Sequence, residues 1–147
     1  MNQLDSSSSV HNAPVPVRVL SIALFVFAFA AALGSLFLWG QGFIFDAPEG
    51  VDLAFPIADL LVNLPVSLTA AVGLWRMKRY GYVAAQIAAG IYLYASVEIF
   101  VDLWQNGAAS TGEFIAIVIP QALAVITACV LVIYLWKEQD RFFSSEH

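Results

Sequence analysis

Histidine and cysteine are almost missing from this chain. One cysteine, Cys129, lies in an apolar run, and the two histidines, His11 and His147, lie in the terminal segments. A lone cysteine excludes an intrachain disulfide framework, a Cys-rich zinc site and CxxC redox chemistry. Histidine confined to the tails excludes haem ligation inside a helical bundle. No apolar run contains a lysine, which excludes a retinal-type Schiff base. A Gly-rich phosphate loop, HExxH and a nucleophile with a histidine partner are absent as well. No complete catalytic set remains, so the sequence leans away from an enzyme. A general-acid role for Glu98 on a lipid-like substrate finds no second catalytic group.

Charge is scarce too. Charged residues make up 12% of the 147 and apolar residues 61%, against about 25% and 45–50% in a typical globular chain. A soluble domain with so little charge could not cover its own surface. The excess apolar area, at a mean hydropathy of +0.80, calls for lipid as its solvent. Six bases in a chain of net charge −5 form no basic surface, so nucleic acid is not an expected partner.

Four long apolar runs are present. Residues 1–16 are polar and Ser-rich (Ser6–Ser9) and read as a disordered cytoplasmic tail. The runs cover 17–39, 53–75, 80–104 and 114–136, and 137–147 form a short charged tail. A spanning helix takes about 20 apolar residues. The first run exceeds the roughly 7–15 residues of a signal-peptide core, so it reads as a retained span. The expected fold is all-α, an integral membrane four-helix bundle with short loops and the lipid bilayer as partner.

Orientation follows from the bases. Cytoplasmic flanks collect Lys and Arg. Arg18, Arg76, Lys78, Arg79, Lys137 and Arg141 all fall on one side of a four-span topology. The opposite loops hold Asp46, Glu49, Asp52 and Glu113 and no base. Both termini are therefore expected in the cytoplasm and the chain in the inner cell membrane. Trp39, Trp75, Trp104 and Trp136 end the four runs, as interfacial aromatics do. Arg76, Lys78 and Arg79 set topology and are candidates for contact with anionic lipid headgroups.

Carboxylates enter the runs where bases do not. Asp59 lies six residues into the second run, roughly 9 Å deep at 1.5 Å per residue, and Glu98 lies at a similar depth in the third. Folding the hairpin about Met77–Lys78 sets Asp59 opposite Ser96 or Val97. Asp102 is nearer the mouth and also reads as an interfacial acid. Ser35 and Gln121 give the first and fourth helices a polar group at the same level. Asn63 and Ser67 continue the Asp59 face at intervals of four. On the third helix Gln86, Gly90, Tyr94, Glu98 and Asp102 also recur every four residues, a stripe that drifts slowly around the helix and is expected to face the interior.

An intramembrane acid is costly and marks a functional site by default. With no base in the membrane, these acids would stay protonated, share protons with Asn63, Gln121 and Tyr94, or bind a cation. The all-oxygen donors suit hard cations, with Asp59 and Glu98 as ligands if a metal binds; no other cofactor is expected. Bland readings stand beside this. Gln121 can be interhelical glue, Pro65 and Pro120 can simply bend their helices, and Ala28, Ala32, Gly34, Gly73, Gly90 and Ala128 can serve close packing.

Three functions follow. The first is a cation- or proton-binding transporter or channel-like subunit, which at four helices needs an oligomer to conduct. The second is a non-catalytic accessory or assembly subunit of a larger membrane complex. The third is a small-ligand pocket open to the outer face, with Phe43, Phe45, Phe55, Tyr92 and Tyr94 as candidate walls.

Overall fold

The computed structural model describes residues 13–40, 54–108 and 110–143. Asp46, Glu49, Asp52, Phe43, Phe45, His11 and His147 lie outside that set, as do the side chains of Phe55 and Glu113. The described residues are all helical or turn. Helix α1 is Val15–Gly40. Helix α2 runs continuously over 54–75. Helix α3 is Arg79–Asn106, α4 is Thr111–Lys137, and α5 is the short Gln139–Phe143. The first four are long and apolar enough to cross a membrane.

Helix ends follow local chemistry. Pro16 stands in the first turn of α1, where its missing N–H costs nothing. Gly107, at φ 71°, ends α3 and returns its N–H to the Leu103 carbonyl. At the end of α2 the Lys78 N–H bonds the Gly73 carbonyl and the Met77 N–H bonds that of Leu74. This 6→1 and 5→2 pair is a Schellman closure. Met77 holds the left-handed position, at φ 53°, that glycine usually takes. Its side chain is buried, so apolar packing offsets that backbone cost.

The tight turn lets α2 and α3 touch backbone to backbone. A Cβ built on Gly81 would stand 2.1 Å from the carbonyl carbon of Gly73, and one on Gly73 would stand 2.3 Å from the Gly81 Cα. Only glycine fits at either position. Gly34 and Gly90 differ: a Cβ there meets nothing within 4 Å. The close-packing role expected of them is therefore corrected, because neither lies where two helices cross.

Sequence neighbours are spatial neighbours. Helix α1 packs on α2, α2 on α3 and α3 on α4, while α1 and α4 touch little, leaving an open seam. The apolar core fills the end of the bundle near the basic turn, with Leu24, Leu74, Leu131 and Leu135 fully buried. Ser21 pins α1 to α2 there, its hydroxyl donating to the Ala71 carbonyl at 2.6 Å. Interhelical bonds between membrane helices average about 0.6 kcal/mol. Ser21→Ala should therefore lower stability by about that amount, read as a shift of the unfolding midpoint in detergent titration.

All the described bases gather at this end. The Arg18 guanidinium lies 5.9 Å from the Trp75 ring, and that of Arg79 lies 4.5 Å from Phe143. Helix α5 folds back here, burying Phe142 beside Tyr82 at 5.7 Å between ring centres. Arg76, Lys78 and Arg79 remain exposed, as candidates for headgroup contact must be. The outward faces are apolar along their length; Val19, Ile22, Leu33, Ile119, Ile126 and Ile133 are each more than half exposed.

Candidate functional site

The site begins with an irregular turn. Residues Asp59–Asn63 of α2 form a π-helical turn in which the Leu64 N–H reaches back five residues to the Asp59 carbonyl. Pro65 explains its position. Proline has no N–H to give the carbonyl four residues back, and its ring crowds that carbonyl. Widening the preceding turn relieves both problems. In an α-helix, residues 59, 63 and 67 would drift apart by about 40° per step. The wider turn removes part of that drift and stacks the three side chains.

They form one directional chain. Ser67 Oγ donates to Asn63 Oδ1 at 2.9 Å, and Asn63 Nδ2 donates to Asp59 Oδ1 at 3.0 Å. Ser67 Oγ also lies 2.8 Å from Tyr92 Oη. A hydroxyl has one proton. Ser67 spends its proton on Asn63, so Tyr92 must be the donor to Ser67. Every donor in the series Tyr92, Ser67, Asn63 thus points toward Asp59. Helical side chains lean toward the N-terminus. Tyr92 on α3 therefore leans toward the basic end and Ser67 on α2 leans away from it, and the two meet.

This chain holds a carboxylate but does not conduct a proton. A relay would require Asn63 to accept a proton on Oδ1 while losing one from Nδ2, and a primary amide does neither readily. Its effect is to satisfy one Asp59 oxygen and fix the carboxylate's direction.

Asp59 faces space in the half of the bundle away from the basic turn. One cavity of about 350 Å³ is lined by Asp59, Asn63, Tyr92, Gln121 and Pro120 with Phe27, Ile99 and small alanines. A second, of about 640 Å³, shares Ala31, Asp59, Ile99 and Gln121 with it and adds Ser35, Asp102 and Phe37. The two adjoin along these shared residues, the second lying nearer the end opposite the bases. A third, of about 430 Å³, lies in the groove between α2 and α3 and is lined by Asp59, Asn63, Gly90 and Tyr94. Gln121 is held to α3 by Ser96, whose hydroxyl donates to Gln121 Oε1 at 3.1 Å.

The named residues therefore fall in three places. Asp59, Asn63, Gln121, Ser35 and Asp102 line the joined cavities. Asp102 is exposed there and accepts from Asn106 Nδ2 at 2.7 Å. Tyr94 is 70% exposed and belongs to the outer groove. Glu98 is half-buried, its carboxylate neighbours the Tyr94 hydroxyl, and it lines none of these three cavities. Among the described residues no cluster of three His, Cys, Asp or Glu side chains is placed to hold a metal ion.

The expected inward stripe on α3 is corrected. Strict spacing of four turns about 40° per step, so Gln86 and Asp102 differ by about 160° around the helix. The inward face mixes threes and fours: Ala85, Ala88, Ala89, Tyr92 and Ser96 are buried, while Gly90 and Tyr94 look outward. Gln86 is left part-buried, with an Nε2 that has no partner among the described residues. Sequence reading missed the Ser67–Tyr92 and Ser96–Gln121 links. The small-residue pattern on α3 was the signal for both.

Set against protein-family models, curated proteins and solved structures, the chain matches none.

Proposed function

We propose that this chain is a multi-pass membrane protein that binds a cation in the outer half of its bundle, as a transporter or channel-like subunit. The observation that carries the reading is the setting of Asp59. Its carboxylate opens onto a cavity at the centre of four apolar helices, is steadied by a one-way series of donors, and has no base among the lining residues. An acid kept at such a depth is expensive. A bound positive charge, whether a proton or another cation, offsets that cost.

The topology belongs to the same reading. Every base lies beyond or at the rim of one end, which supports N-in, C-in insertion in the inner membrane by the positive-inside rule. The cavities then open toward the outer face. Trp39, Trp75, Trp104 and Trp136, all exposed, would stand at the two interfaces.

Asp59→Asn tests the site. In purified protein, raising the concentration of a bound cation raises the unfolding midpoint by linkage. The wild type is expected to show such a rise as pH falls or as a cation is added, and Asp59→Asn is expected to lose it. Equal responses in the two proteins would sink the reading.

One observation favours a second reading, a non-catalytic accessory or assembly subunit of a larger membrane complex. Helix α4 has only 11% of its most apolar window buried, against 33% for each other span. Such a face suits a partner helix as well as lipid. Purification in mild detergent decides between them: a chain that runs without other co-purifying chains, as monomer or homo-oligomer, removes this reading and leaves the first.

A further inference from the structure

We infer that the cation taken by the central cavity is an organic ammonium ion with a compact apolar body, not a metal ion. This rests on the cation reading above and narrows it.

The polar atoms are already engaged. Asp59 Oδ1 receives the Asn63 amide, Asn63 Oδ1 receives Ser67, Ser67 receives Tyr92, and Gln121 Oε1 receives Ser96. A divalent metal ion asks for about six or more oxygens, in octahedral array for Mg²⁺. One carboxylate among engaged neighbours does not supply them, and no second acid stands beside it in the inner cavity. An ammonium group asks for less. Its N–H donors need one charged oxygen, which Asp59 Oδ2 offers, and neutral acceptors such as the Tyr92 hydroxyl.

The remaining wall is apolar. Phe27, Ala31, Ala95, Ile99 and Ala124 line it, and Phe27 meets Tyr92 edge to face at 5.7 Å. A hydrated metal ion gains nothing from such a surface, whereas an alkyl or aryl body loses contact with water there. An aromatic face lining the wall also attracts an organic cation placed over it. At about 350 Å³ the cavity lies at the small end of ligand pockets. Charge along the path agrees. Asp102 lines the mouth and Asp59 the interior, and no Lys or Arg lines either cavity. A cation entering from that end therefore meets a field of one sign, which raises its local concentration.

The test is calorimetric titration of the protein in lipid nanodiscs, with empty nanodiscs as blank. The probes are 2-phenylethylammonium, its neutral counterpart 2-phenylethanol, Na⁺ and Mg²⁺. Saturable binding of 2-phenylethylammonium is expected. It should fall at least about tenfold in Asp59→Asn, the loss of one charge-assisted bond, and comparably in Ala124→Phe, which fills the cavity and spares the acid. Should Asp59→Asn not fold, Ala124→Phe carries the test. Asp59-dependent binding of Na⁺ or Mg²⁺ without the ammonium overturns this inference and leaves the cation reading standing. Equal binding of 2-phenylethanol overturns the assignment of an ammonium ion. Binding of none of the cations overturns both.

Discussion

Gly81→Ala is expected to destabilise the protein by about 3 kcal/mol or more, while Gly90→Ala is expected to stabilise it by roughly 0.5–1 kcal/mol. Both glycines lie in α3, only nine residues apart in sequence. What differs is what a methyl group would strike. At Gly81 it would overlap the backbone of Gly73 and the Leu74 nitrogen, all within 2.4 Å. Backbone cannot rotate away as a side chain can, so the hairpin must open, and the Lys78–Gly73 and Met77–Leu74 closure bonds are strained with it. At Gly90 there is open space, and alanine gains its ordinary helix advantage. Reversible unfolding in mixed detergent micelles measures both. Equal and small effects at the two positions would refute the close backbone approach.

Asn63→Leu carries the second large effect. Asn63 is 7% exposed and is the only described link between Ser67 and Asp59. Leucine removes an acceptor from Ser67 and a donor from Asp59 in one step. An orphaned polar group costs about 1–3 kcal/mol when buried, though membrane proteins often find substitutes. The expected loss is about 2 kcal/mol, together with at least a tenfold loss of cation binding as Asp59 turns free. Val62→Leu, next door and 48% exposed, should stay within about 0.5 kcal/mol of wild type. A stable Asn63→Leu protein with unchanged binding would show that the donor series does not hold the site.

The contrast between these residues explains what could be read from sequence. Depth was legible, because hydropathy and charge mark where a chain enters and leaves an apolar layer. The four runs emerge as four long helices, and Asp59, Ser35 and Gln121 do line connected space. Azimuth was not legible. Depth matched Glu98 to Asp59, and a stripe of every fourth residue, drifting slowly around α3, was expected to keep Tyr94 and Glu98 on the inner side. That drift proves large enough to set Tyr94 in an outer groove and Glu98 off the wall of the inner cavity. Pro65 flagged a disturbance in α2, yet only coordinates reveal that it is a widened turn aligning Asp59, Asn63 and Ser67. Hydrogen-bond direction lay beyond the sequence altogether, since it depends on how a single Ser67 proton is shared.

The open seam between α1 and α4 bears on how the molecule is made. Every extensive helix pair in it joins segments consecutive along the chain, so each helix can dock on its predecessor as soon as both have formed. Among the four long helices, the α1–α4 edge alone joins segments far apart along the chain, and it is the thinnest of their contacts. The cavity containing Asp59 is walled by residues of both, Phe27 and Ala31 on one side and Gln121 and Ala124 on the other. Until α4 has packed, the cavity lined by Asp59 therefore lacks one wall. A partner or ligand arriving at that moment would meet it open from the side.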